Sequence, residues 1–225
     1  RSRACPRSGC RPSAMGEIAM PKVFCVGFQK SGTTSMETAL QMLGYRVASV
    51  YGRDLSLPEL QRRYVEIGLS RAEEVDAAQD MPWPLLYREL DAAYPDAKFI
   101  LTTREEDAWW KSILGHFGRN TDVMQQLVYG EEAGAPLGHE KRYRRIYREH
   151  NQRVLDYFAD RPGKLLTLDF SAPVEWGPLC AFLDIAVPEA PFPRSNQPKQ
   201  YPSLRRDLRR RGLTLVNQMI GSRTT

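Results

Sequence analysis

Histidine is scarce in this 225-residue chain. There are three, His116, His139 and His150, and no metal or triad spacing joins them, so each is expected to be structural or exposed. Cysteine is also sparse: Cys5, Cys10, Cys25 and Cys180 form no C-x-x-C pair, which argues against a zinc site or a disulfide framework. Cys25 and Cys180 are expected to be small buried hydrophobes in a reducing compartment, and hence the location to be cytoplasmic. No apolar run approaches the roughly 18–20 residues that cross a bilayer, so no membrane-spanning helix is expected. The arginines at the start are not followed by an apolar stretch, so no signal peptide is expected either. Also missing is the G-K-[ST] of the common nucleotide-binding loop.

What charge there is lies at the ends. The formal net charge is +5, but residues 1–14 hold four arginines and no acid, and residues 204–212 hold five arginines against Asp207, leaving the rest net −3. The body is therefore not a basic nucleic-acid surface, and no nucleic-acid or membrane partner is expected. The late arginine run reads best as a solvated helix face. Residues 1–20, rich in Arg, Ser, Pro and Gly without periodicity, read as a disordered leader before a single domain over 21–225.

Within that domain, strand and helix patterns alternate. Strands are expected over 23–28, 47–50, 75–79, 97–103 and 164–169. Helices are expected over 33–43, 58–72, 84–94, 105–117, 121–129, 139–159 and 174–184, with a basic helix from about 203 to 220. Alternation of this kind predicts an α/β fold of the P-loop type: a doubly wound, mainly parallel sheet with helices on both faces. Ligands of such sheets bind beyond the C-terminal ends of the strands. That nominates the loops at 28–35, 80–84 and 103–105.

The first of these carries the clearest motif. Gly27 and Gly32 keep the glycine spacing of a phosphate-binding loop, but Thr33 fills the usual lysine slot and Lys30 precedes the second glycine. The Lys30 ammonium, the N–H groups of Ser31 to Ser35 and the hydroxyls of Ser31, Thr33, Thr34 and Ser35 all suit a diphosphate-like anion at a helix N-terminus. The displaced lysine points to an activated group other than the γ-phosphate of ATP. Arg104 ends the strongest strand, where a guanidinium fork can meet a second phosphate, and Ser112 lies about two helical turns further on. A surface ion pair with Glu105 or Asp107 is the competing reading of Arg104.

The run Lys30-Ser31-Gly32-Thr33-Thr34-Ser35, followed by Arg104 and Ser112, resembles the PAPS-dependent sulfotransferases. The stretch from Tyr94 through Lys98 to Arg104 is similar to that family. So is Leu165 to Leu183, with its Trp176-Gly177-Pro178-Leu179-Cys180-Ala181-Phe182-Leu183 helix. The likeness covers residues 21–197 and is closest to the small soluble members. It implies that Lys30 to Ser35 grip the 5′-phosphosulfate and that Arg104 and Ser112 grip the 3′-phosphate. It also implies transfer of a sulfuryl group from PAPS to a hydroxyl or amine of a small-molecule acceptor, leaving PAP, with no metal required. Many cytosolic members carry a Lys-Thr-His segment whose His is the base. This chain has Gln79-Asp80-Met81-Pro82-Trp83 instead, so Asp80 is the candidate base, with a turn aspartate as the competing reading. Acceptor contacts are expected from loops 50–57, 80–87 and 117–140. Among Trp83, Trp109, Trp110, Phe117 and Tyr87, mostly core residues, Trp83 is the best pocket candidate. A P-loop kinase or NTPase is the alternative, with Asp169 as a metal-binding aspartate, and a non-catalytic nucleotide-binding protein is a third.

Overall fold

A computed structural model describes residues 20–194. The expected leader, apart from Met20, and the expected basic helix near 203–220 lie outside the described residues. The elements follow in order as β1 (Val23–Cys25), α1 (Thr33–Met42), β2 (Val47–Ala48), α2 (Leu57–Glu74) and β3 (Ala77–Ala78). A 3₁₀ turn (Trp83–Leu86) leads into α3 (Tyr87–Ala93), then β4 (Lys98–Thr103), α4 (Glu106–Phe117) and α5 (Val123–Tyr129). A second 3₁₀ turn (Glu131–Ala133) precedes α6 (Glu140–Phe158), β5 (Leu165–Asp169) and α7 (Trp176–Leu183).

The five strands are all parallel, in the order β2-β3-β1-β4-β5. Alternate side chains on each strand enter opposite layers, as the period of two requires. Val23 and Cys25 of β1 and Ile100 of β4 pack with Met36, Ala39 and Leu40 of α1 and with Leu179, Cys180 and Leu183 of α7. Their neighbours Phe24, Phe99 and Leu101 face the other way, onto Leu90 of α3 and Val154 and Phe158 of α6. Each fully buried Leu, Val or Phe contributes roughly 1.5–3 kcal/mol, so the two layers hold the sheet between them. A third apolar cluster sits over the C-terminal edge of the sheet, where Phe28, Met81, Trp109, Trp110, Ile113, Met124, Tyr143 and Tyr147 meet.

Two boundaries move for identifiable reasons. The expected helix over 84–94 begins as a 3₁₀ turn, because Pro84 has no N–H and Leu85 N–H closes on Pro82 C=O at 2.9 Å. Glu105 stands just outside α4 rather than in its first turn, where its carboxylate accepts from Asp107 N–H and Ala108 N–H, both at 2.8 Å.

Candidate active site

β1 lies between β3 and β4, and the chain leaves it toward β2 on one side but crosses it from β3 to β4 on the other. The crevice this reversal creates opens above β3, β1 and β4. The three loops leaving those strands carry Asp80, Lys30 and Arg104.

The β1 loop is shaped by close approach. A Cβ on Gly27 would stand 2.1 Å from Thr102 Oγ1 and 2.2 Å from Thr102 C=O, so this position admits no side chain. The backbone then turns through the left-handed region at Lys30 (φ 68°) and Gly32 (φ 110°). Gly32 is the N-cap of α1 and, being glycine, offers no side-chain acceptor to the first N–H groups of that helix. The positive end of the helix dipole therefore lies at the crevice with no N-cap side chain over it.

The side chains of the motif divide. Ser31, expected as an anion donor, is fully buried and turned inward. Its hydroxyl donates to Phe28 C=O at 2.5 Å and meets Thr102 Oγ1 at 2.7 Å, and its N–H bonds Phe28 C=O at 3.3 Å. Ser31 thus braces the turn and has no donor left for a ligand, which corrects the expectation. Thr33 and Ser35 are buried at the start of α1, and Thr34 is exposed.

Lys30 is half-buried, and three influences act on its ammonium. Burial lowers its pKa most, Asp80 pulls it back up and Arg104 pushes it down again. The three loops thus bring Lys30, Asp80 and Arg104 within one another's electrostatic reach. Among the described residues none of the three forms a direct ion pair.

Arg104 is kept unpaired by its neighbours. Glu105 is spent on the α4 cap; Glu106 pairs with Arg144 and Arg148, and Asp107 with Arg144 at 2.7 Å. The surface ion-pair reading of Arg104 therefore fails. Its Nε is buried without a hydrogen-bond partner. A buried, unsatisfied cationic donor is costly, and an anionic ligand would relieve it. Ser112 sits half-buried on α4 and hydrogen-bonds neither Lys30 nor Arg104 among the described residues.

Asp80 also adopts a left-handed backbone (φ 66°), and its Oδ1 accepts from Met81 N–H at 2.8 Å. Burial raises its pKa above the ordinary carboxylate range, against Met81 N–H, Arg53, Lys30 and His116. It is therefore both a turn residue and a perturbed carboxylate in the crevice.

Trp83 is not a pocket residue. It is fully buried, donates its indole N–H to Ser49 C=O at 2.8 Å and meets Tyr51 edge-on at 5.0 Å. It ties the β3 loop to the β2 loop. Trp109, Trp110, Phe117 and Tyr87 are buried core, as expected. His150 is likewise structural: its Nε2–H donates to Val26 C=O at 2.7 Å, its ring stacks on Phe28 at 4.1 Å, and burial lowers its pKa to about 4. Cys25 is fully buried and its thiol is pushed up to about 12, while Cys180 is buried too.

Several site residues escaped the sequence. His116 lies in the field of Lys30, Arg53, Asp80 and Asp122, with its pKa lowered first by burial. Its one usable signal is the four-residue spacing from Ser112, which puts both on one face of α4. Glu37 of α1 has its pKa raised by burial and then by Asp80, and accepts from Gln79 Nε2 at 3.1 Å. Gln79 also bonds Ser49 Oγ at 2.8 Å. Asp169, the metal-binding candidate of the kinase alternative, ends the edge strand β5 and accepts instead from Ser171 N–H at 2.9 Å and Ser171 Oγ at 2.5 Å.

The sequence pattern of the family described as "Sulfotransferase domain" matches residues 22–131 and 115–201. The chain belongs to this sulfotransferase family. It is also similar to Ava biosynthesis cluster protein M of Aspergillus versicolor, at 26% identity over 213 residues, covering 76% of this chain and 79% of that one. The sulfotransferase match takes in all three crevice loops, and its two segments share the end of α4 and all of α5. Among the described residues no helix is long and apolar enough to cross a membrane.

Proposed function

We propose that this sulfotransferase-family protein moves a sulfuryl group from PAPS to a hydroxyl or amine of a small-molecule acceptor and releases PAP. The observation that carries this reading is a pair of cations, Lys30 and Arg104, on the loops leaving adjacent strands, neither ion-paired among the described residues, beside a helix N-terminus whose N-cap is a glycine. Those donors fit a ligand with two separated anionic groups. The first N–H groups of α1, with Thr33 and Thr34, would hold the 5′-phosphate and so fix its orientation. Arg104 and Ser112 would take the 3′-phosphate, the group that distinguishes this nucleotide from ATP. Lys30 would neutralise charge building on the bridging oxygen as the sulfur–oxygen bond breaks. Asp80 would accept the acceptor's proton, a role its raised pKa suits. The name of the Aspergillus versicolor relative, a biosynthesis cluster protein, accords with a small-molecule acceptor.

Calorimetry with PAP and with ATP–Mg²⁺ tests the reading. Tight PAP binding without need for metal is expected. Preference for ATP–Mg²⁺, with activity abolished by EDTA, would instead establish the kinase alternative. PAP binding with no turnover across a broad acceptor screen, and no effect of Asp80→Asn, would mean a non-catalytic nucleotide-binding protein.

A further inference from the structure

We infer that Trp109 and Tyr147, two buried aromatic residues outside the ligand-gripping set, form a stacked clip that sets the spacing between Lys30 and Arg104. The inference rests on the proposed donor-site reading, and concerns what holds that site in shape.

The two cations come from different loops, and among the described residues no hydrogen bond or ion pair joins them directly. The clip supplies the connection. Tyr147 of α6 turns its hydroxyl onto the backbone of Arg104, accepting from its N–H at 2.9 Å and donating to its C=O at 2.9 Å. Both backbone groups of Arg104 are thus held by one oxygen, just past the last pairing of β4. Trp109 of α4 donates its indole N–H to the C=O of Gln29 at 3.1 Å, and Gln29 is bonded to Lys30 through that carbonyl. The two rings lie face to face, centroids 4.1 Å apart and planes 11° from parallel. Trp109 is fully buried and Tyr147 is 3% exposed. A continuous line therefore runs from Lys30 through the Gln29 carbonyl, the Trp109 indole and the Tyr147 ring to Arg104.

The chemistry of each member suits this task. Tryptophan and tyrosine join a rigid apolar body to a single polar handle, so they fix a backbone group at a set distance from a packed surface. Lys30 sits at φ 68°, a left-handed conformation that surrounding contacts must hold. Gln29 is held from its other end as well, its Nε2 donating to Gln125 Oε1 at 2.8 Å. Arg104, with its orphaned Nε, cannot be aligned by an acidic partner, because its acidic neighbours are all committed elsewhere. Its alignment falls to the backbone, and hence to Tyr147. Catalytic geometry tolerates little misplacement, so a fixed spacing between the two anion grips is worth a dedicated device.

Tyr147→Phe keeps the stack and removes the Arg104 bonds; Trp109→Phe keeps a ring and removes the Gln29 bond. Tyr147→Phe is expected to weaken PAP binding on the order of tenfold and to raise KM for PAPS more than it lowers kcat. Trp109→Phe acts on the lysine side and is expected to lower kcat more than it raises KM. Because a buried hydroxyl also serves stability, the deciding measurement is a double-mutant cycle. Adding Tyr147→Phe to Arg104→Ala should change PAP affinity less than twofold, since the guanidinium that Tyr147 positions through the backbone is gone. An equal loss in both backgrounds, or unchanged affinity in Tyr147→Phe alone, overturns the clip while leaving the donor reading intact. A wild-type protein that does not bind PAP overturns the reading, and the clip with it.

Discussion

Substituting Gly32 by alanine tests the cradle at its tightest point. Two separate costs arise there. The backbone at φ 110° lies in a region that residues with a Cβ rarely enter, worth about 1–3 kcal/mol. The added Cβ would also stand 2.4, 2.6 and 2.6 Å from three ring carbons of Phe170, where normal contact is about 3.5–4.0 Å. The ring must retreat by roughly 1 Å, an overpacking cost of about 1–3 kcal/mol. Gly32→Ala should therefore destabilise the fold by about 2–6 kcal/mol in urea unfolding. Phe170 has room to be removed: it follows β5, is half-buried, and is anchored by its N–H to Thr103 C=O at 2.8 Å. In a Phe170→Ala background the clash disappears and only the backbone strain stays, so the same substitution should cost about 1–3 kcal/mol less than in the wild type. PAP affinity should follow the same order, because the displaced turn carries the first N–H groups of α1. Identical costs in both backgrounds would refute the Phe170 contact. A Gly32→Ala cost below about 0.5 kcal/mol would refute the whole argument.

Lys30→Ala should lower kcat on the order of 10²–10³ while PAP still binds, and near-wild-type turnover would remove Lys30 from the chemistry. Asp80 must be ionised to accept a proton, so kcat/KM should fall as pH drops through a pKa above the ordinary carboxylate range, and this limb should vanish in Asp80→Asn. The same raised pKa means the folded state binds the extra proton, so the Asp80 contribution to stability falls as pH rises through that window. Asp80→Asn, which can keep the Met81 N–H bond and the left-handed backbone, should then melt higher than wild type at pH 7 while losing activity. His150 gives the opposite slope. Buried neutral with its pKa near 4, it takes up its proton more readily when unfolded, so stability should be lost as pH falls from about 6.5 toward 4. The loss should be on the order of 3 kcal/mol, and His150→Gln should flatten it in pH-dependent urea unfolding.

The local pattern of the chain was sufficient for the parallel α/β architecture, because buried strands and amphipathic helices repeat with periods that neighbouring residues alone reveal. It was sufficient too for the turn at Gly27 to Gly32, where the glycines answer to close approach by Thr102 and Phe170. Strand order was not legible, since β2 and β3 are two residues each and their pairing depends on partners far along the chain. Nor was the division of labour inside the motif. Ser31 and Thr34 look alike in sequence, yet one is buried against Thr102 and the other is exposed, because the turn's left-handed residues rotate them to opposite sides. Trp83 likewise reads as a pocket aromatic until Ser49 and Tyr51 are brought onto it. The charges around Asp80 come from four segments, with Glu37, Arg53 and His116 each distant in sequence. Electrostatic coupling depends on distance in space and on burial, and both are set only when the third apolar cluster packs over the end of the sheet.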